Sequence, residues 1–235
     1  MSRFLDRFFN PLDLRRAVPQ IWDGFQTNIK LMVVAELLVL VLALLIAIVR
    51  GLPGRGALPL RALAIAYTDF FRGTPLILVA FVMALGVPSL KIAVISDQSL
   101  FTYGVVTLTI IYTAYVTEVY RAGIESVHPS QRMAARSLGL TYAQAMRHVV
   151  LPQAIRRVIP PLLNDFIGLQ KDTATITVIG VTEAIAQAGF YSTDYFSYAG
   201  YIVAAVFFVI LTIPFARFTD HIIKERERRE RAQLV

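Results

Sequence analysis

The chain contains no cysteine, so disulfide frameworks and Cys-ligated metal centres are excluded. Charge is scarce as well: 17% of the 235 residues are charged, against 56% hydrophobic, and the mean hydropathy is +0.61. A soluble core of this size needs no such apolar excess, and the composition points to a membrane protein of one domain. Histidine occurs only at positions 128, 148 and 221, a spacing that offers no metal site. No Gly-x-x-x-x-Gly-Lys-Ser/Thr segment is present, so this chain cannot cradle nucleotide phosphates through a P-loop, and no catalytic constellation is found. Residues 1–27 carry Arg3, Arg7, Arg15 and Arg16 but lack the apolar region of a cleavable signal. The net charge of +7 would suggest nucleic acid in a soluble chain. In a membrane protein it reflects basic cytoplasmic loops.

What is present is a series of long apolar runs. A bilayer span takes about 20 apolar residues, and five segments meet this: Ile29 to Val49, Ala62 to Val87, Leu100 to Tyr120, Ala154 to Lys171 and Gly200 to Phe218. The second includes the polar stretch Asp69 to Thr74, and Thr74-Pro75 is expected to kink it. Thr173 to Gly189 reads as an interfacial or re-entrant segment, with a sixth span as the alternative. The expected fold is an all-α membrane protein with five transmembrane helices and a polar helix-turn-helix loop between spans three and four. Residues 1–28 would form an interfacial segment, residues 29–222 the membrane domain and residues 223–235 a charged tail. Phe4, Leu5, Phe8, Phe9, Leu12 and Leu14 interleave with the N-terminal arginines, as in a segment lying along the membrane surface, with a frayed tail as the alternative. The tail from Lys224 to Arg231 alternates charge at helical spacing, as a solvated extension of the fifth helix does. With the loop of residues 121–153 inside, 15 of the 23 basic residues are cytoplasmic. This bias predicts an outside N-terminus and an inside C-terminus.

The loop carries its own start and stop signals. Ser130 is expected to cap a helix over 131–138, and Gly139 supplies the left-handed residue that ends it. Thr141 and Gln144 form a capping box for a second helix, which Pro152 limits. Two short polar helices in so apolar a chain imply a soluble partner. The pattern Ala134, Ala135, Gly139, Val149, Leu151, Pro152 resembles the EAA loop of ABC importer permeases. Phe71-Arg72-Gly73-Thr74-Pro75, Thr117-Glu118-Val119-Tyr120-Arg121-Ala122-Gly123-Ile124 and Lys171-Asp172-Thr173 are similar to segments of the amino-acid branch of that family. The resemblance covers roughly residues 20–222. It implies a type I importer fold and transport of polar amino acids or related small solutes. It also implies a second permease copy or paralogue, two cytoplasmic ATPase subunits that hold the ATP and Mg, and an external solute-binding protein. In this reading Met133, Ala134, Ala135, Leu138, Gly139, Leu151 and Pro152 couple the chain to its ATPase. Two positions depart from the pattern: Met133 stands where the family usually has Glu, and Ser130 where it usually has Gly. With Ser130 as cap, residue 133 would be the third helical residue, where Glu closes a capping box. Met cannot, so docking is expected to lean on Met133, Ala134 and Leu138 and to depend weakly on salt.

Candidate pathway residues follow from helical spacing. Arg157, Pro161, Asn164, Asp165, Gly168, Lys171 and Asp172 fall within an arc of about 120° on the fourth span. A charge at mid-membrane costs roughly 2.5–3.5 kcal/mol, so this stripe should face water or protein. It either lines a translocation pathway or pairs with neighbours to hold helices together. Pro160-Pro161 would loosen the helix and free carbonyls. Thr109, Thr113, Thr117 and Tyr120 form a second stripe, read as packing. Glu118 and Arg121 are spaced for a local ion pair, as are Asp69 and Arg72. Glu36, the one acid deep in the first span, is either a pathway residue or an ion-pair partner. A DNA-binding helix-turn-helix would need a third helix for which the chain leaves no room. A secondary transporter or channel without an ATPase would explain the polar stripe but not the loop.

Overall fold

The computed structural model describes residues 2–52 and 54–232. The side chains of Arg3, Phe4, Leu5, Arg226, Arg229 and Arg231, invoked above for orientation and lipid contact, lie outside the described residues. A short helix α1 (Ser2–Phe9) leads into α2 (Pro11–Arg50), a single helix of 40 residues. Asn10 caps α2 by accepting from the Leu12 amide, with Pro11 in the first helical position. The end expected at residue 28 is not an element boundary: α2 continues through it. Its first part packs Ala17, Ile21 and Phe25 against later helices, whereas its apolar part buries Ala35, Val39, Ala43 and Ala47. Alanine at three of these four positions lets a neighbouring backbone approach closely where lipid supplies no hydrophobic drive. The opposite face, with Val33, Leu37, Leu44 and Ile48, is exposed.

The second predicted span is two pieces. Helix α3 (Leu58–Gly73) ends at Thr74, and α4 (Leu76–Phe81), a π-helical turn (Val82–Gly86) and α5 (Val87–Ser89) follow after a bend of 106°. Thr74 is extended, as the residue before Pro75 must be, and its hydroxyl donates back to the Phe70 carbonyl. What reads in the sequence as a kinked helix is therefore a break.

Helix α6 (Leu100–Glu125) sits at the centre, packed on α2, α3 and the later helix of Leu151–Asp172. The loop follows as α7 (Pro129–Ser137) and α8 (Tyr142–Ala145). A π-helical turn (Met146–Val150) then joins α8 to α9 (Leu151–Asp172) without interruption. A 3-10 turn (Thr173–Ile179) ends at Gly180 in the left-handed region, φ 90°, and precedes α10 (Ala184–Tyr195) and α11 (Ala199–Ala232). At 12 residues, or about 18 Å, α10 is too short to cross a bilayer. It folds back on α2 and α11, and Gly180 separates it from the 3-10 turn, so no single described helix in residues 173–189 is long enough to cross. Helix α11 runs on into the charged tail, as its alternating charges predict.

Among the described residues, Pro11–Arg50, Leu100–Glu125 and Ala199–Glu225 are long and apolar enough to cross a membrane, and the bent pair adds one more. Helix α9 has the length, 22 residues, but its polar stripe lowers its hydropathy below the others.

Candidate functional site

The loop is built by local signals. His128, not Ser130, caps α7: its Nδ1 accepts from the Ser130 amide at 3.2 Å and lies 2.7 Å from the Ser130 hydroxyl. Pro129 has its φ preset for the first helical position and holds His128 out of the helix, so α7 starts two residues earlier than expected. Met133 is thus the fifth helical residue and Gln131 the third, and the capping-box reasoning about position 133 does not apply. Gly139 ends α7 as expected, although the last helical residue is Ser137 and Leu138 is the C-cap. Gly139 has φ +88°, its amide donates to the Arg136 carbonyl at 3.0 Å, and the Leu140 amide donates to Ala135 at 3.2 Å. These two bonds make a Schellman turn. Thr141 and Gln144 form the capping box, with bonds of 3.3 and 2.8 Å.

Pro152 does not end the second helix. It is the second residue of α9, and the wider π turn before it removes the clash its ring would have with the preceding turn. Of the residues assigned to coupling, Met133, Ala134, Leu138 and Gly139 are exposed on the loop, and Leu151 and Pro152 are exposed on α9. Ala135 instead turns inward and is buried. Val127, Val150 and Ala154, with Met146 against them, fasten the loop to the bundle.

Above this anchor, α6 and α9 approach closely at Gly123. A Cβ there would stand 2.0 Å from Val158 Cγ1. Beside the contact, Glu118 gathers cations from three helices. Arg50, at the end of α2, donates to Glu118 Oε2 at 2.9 Å and to the Thr68 hydroxyl at 3.0 Å. Arg121 pairs with both Glu118 and Glu125. Arg72 approaches Glu118 to 3.9 Å, which replaces the expected Asp69–Arg72 pair, and its carbonyl accepts from Tyr115 at 3.3 Å. The local Glu118–Arg121 pair was legible in the spacing. Arg50 and Thr68, far apart in sequence, left no signal.

A cleft of about 460 Å³ opens here, lined among others by Arg72, Tyr115, Glu118, Arg157, Pro161 and Asp165. The structure therefore splits the predicted α9 stripe. Arg157, Pro161 and Asp165 line the cleft, and Arg157 donates to the Ser126 carbonyl. Asp165 Oδ2 is buried and has no hydrogen-bond partner among the described residues. Glu36, on α2, stands within electrostatic reach of Asp165 and makes no ion pair among the described residues. Farther along, Tyr112 donates to Asp172 Oδ2 at 2.8 Å, and a Cβ at Gly168 would sit 3.0 Å from the Tyr112 oxygen. Asn164 and Lys171 are exposed. The threonine stripe is buried packing, with Thr117 donating to the Thr113 carbonyl at 2.6 Å.

One buried polar cluster escapes sequence reasoning. Asn28 Nδ2 donates to Thr173 Oγ1 at 3.1 Å and to Glu183 Oε2 at 3.0 Å, and the Ala184 amide donates to Asn28 Oδ1 at 3.0 Å. Glu183 caps α10 from a fully buried position. Gly24 permits this: a Cβ there would lie 2.7 Å from the Glu183 backbone. The available signal was a lone Asn at the margin of an apolar run, one helical turn after a Gly.

The architecture and these motifs have close parallels. The family of binding-protein-dependent transport system inner membrane components matches residues 43–228. The chain is 37% identical over 207 residues to the probable glutamine ABC transporter permease protein GlnM of Bacillus subtilis (strain 168), covering 88% of this chain and 93% of that protein. It is 34% identical over 180 residues to the arginine transport system permease protein ArtQ of the same organism, covering 75% of this chain and 80% of that one. The crystal structure of an amino acid ABC transporter with histidines superposes with a TM-score of 0.83 at 33% identity, over 92% of this chain and 97% of that one. With the all-helical fold and the loop between α6 and α9, these likenesses show that the chain belongs to the binding-protein-dependent inner membrane components, as a multi-pass permease subunit of an ABC importer.

Proposed function

We propose that the chain forms one half of a translocation pathway for polar amino acids, with the cleft between α3, α6 and α9 lying on that pathway. The observation that carries this is the unpartnered Oδ2 of Asp165, buried beside a cleft that also holds Arg72 and Arg157. A carboxylate with no partner and guanidinium groups in one cavity match the ammonium and carboxylate ends of an amino acid. Glu36, Gly168 and Asp172 lie along the same side, where Asn164 and Lys171 are exposed, and exposed polar groups inside a membrane need water or a second subunit over them. That subunit is a second copy or a paralogue. The spans are α2, the bent pair, α6, α9 and α11, with the N-terminus outside and the loop of α7 and α8 in the cytoplasm. An external solute-binding protein delivers the solute. ATP and Mg are held by a pair of ATPase subunits that dock on Met133, Ala134, Leu138 and Gly139, and this chain needs no cofactor of its own. Closing of the ATPase pair shifts the spans between outward and inward openings, and the solute contributes only through different affinity for the two states.

The test is uptake of a panel of radiolabelled amino acids by the reconstituted complex. Asp165→Asn should lower uptake about tenfold or more, the loss of a charge-assisted contact, while the subunits still assemble. Unchanged uptake would remove Asp165 from the pathway. Uptake that persists without the ATPase would make the chain a secondary transporter.

A further inference from the structure

The loop between α6 and α9 carries charge of one sign. Residues 129–152 include Arg132, Arg136, Arg147 and His148 and no Asp or Glu. None of these arginines has an ion-pair partner among the described residues. On α7 the periodicity places Met133, Ala134, Ser137 and Leu138 within an arc of about 140°, with Arg136 and Arg132 along one edge. All are exposed, Met133 at 60% and Leu138 at 81%. Both ends of the helix are fixed, by His128 and by the Schellman turn at Gly139. A rigid helix that presents apolar side chains beside unpaired cations suits a preformed groove. A lipid surface fits it poorly, because an interfacial helix inserts a broad face of Trp, Phe and Leu, and α7 has no aromatic residue.

We propose that this face is received by a groove on the ATPase subunit that is apolar at its centre and acidic along the rim facing Arg132 and Arg136. The proposal rests on the docking reading above and adds the chemistry of the partner. Position 133 supports it. A cation opposite position 133 would be covered by Met133 and left desolvated and unpaired. The partner of this chain therefore has no basic residue opposite Met133. The exposed arginines argue against the weak salt dependence expected for docking through Met133, Ala134 and Leu138. Charge complementarity at a rim speeds association and weakens with screening.

The probe is the transporter's own ATPase subunit, purified and titrated onto the full permease in nanodiscs. Because the chain has no cysteine, Ser137→Cys carries a photocrosslinker that reports contact independently of affinity. We expect the crosslink to form, and the affinity to fall about five- to tenfold between about 50 and about 300 mM salt. Arg136→Glu should weaken binding about tenfold or more. Met133→Glu should also weaken it, whereas Met133→Leu should retain affinity within about twofold and so show that α7 is intact. A crosslink together with salt-independent affinity, a neutral Arg136→Glu or a tightened Met133→Glu would overturn the acidic groove and leave docking in place. No crosslink to the ATPase, or capture of lipid instead, would overturn the docking itself.

Discussion

At the scale of single residues, the closest tolerances lie at the loop end of the bundle. Gly123 is fixed by space: a Cβ would be 2.0 Å from Val158 Cγ1 and 3.5 Å from the Ala154 carbonyl. Gly123→Ala should therefore force α6 and α9 apart and cost about 1–3 kcal/mol, as overpacking does. Thermal unfolding of the purified permease reads this directly, and an unshifted midpoint would show that the helices separate freely. Glu118 is fixed by charge. Glu118→Gln leaves Arg50, whose side chain is 13% exposed, short of its countercharge, while Arg121 retains Glu125. Partial exposure of the pairs places the expected loss nearer about 1–2 kcal/mol than the 3–5 of a fully buried pair. A double-mutant cycle with Arg50→Met measures it: coupling below about 0.3 kcal/mol would reduce the cluster to coincidence of position.

At the scale of elements, the loop is where sequence and structure can be compared most closely. Gly139, Thr141 and Gln144 were legible because each acts on its nearest neighbours, through a left-handed turn and a reciprocal cap. The start of α7 was misread because a serine is the commoner cap, whereas here Pro129 fixes the register and leaves the task to a histidine ring. Pro152 was misread because a proline stops a helix only when the preceding turn cannot widen. On α9 the polar periodicity grouped these residues on one face, but not that Gly168 and Asp172 belong to Tyr112 while Asp165 belongs to the cleft. Long-range partners such as Arg50 with Thr68, or Asn28 with Glu183, leave no periodic trace. For the loop itself, Gly139→Val places a β-branched residue at φ +88°, a strain of about 1–2 kcal/mol. The spans should still fold and the permease remain monodisperse, while recovery of the ATPase subunit on the purified permease falls. Full transport with normal recovery would count against the turn as a docking element.

At the scale of the whole molecule, the arrangement of the helices sets which ends share a side. Val94, in the loop between α5 and α6, and Ser130, after α6, lie at opposite ends of a 26-residue helix. The basic-residue bias predicts the first outside and the second inside. Val94→Cys should react with an impermeant maleimide on intact cells, and Ser130→Cys only after the membrane is opened. The reverse pattern would invert the topology. The same reasoning explains how five apolar segments could be read from sequence while the bend of 106° in the second could not. Apolar run length is a local property, but the direction a chain takes after Pro75 depends on what it packs against.

The unbroken passage from α8 through the π turn into α9 has a mechanical meaning. From Tyr142 to Asp172 the backbone is one rod, and it is gripped against α6 where Val158 meets Gly123. At 1.5 Å per residue the arms on either side of that grip are about 24 Å and about 21 Å. A rod gripped near its middle rocks only where the Tyr112–Asp172 bond at its far end gives way: displacement of the loop end is then returned at the far end in the opposite direction. Pro160 and Pro161 sit just beyond the fulcrum, where missing amide bonds make the rod most compliant. Spin labels at residues 143 and 167, each measured against a fixed point on α2, should then move in opposite senses when nucleotide is added to the assembled complex. Movement in the same sense would mean that α9 slides and does not rock.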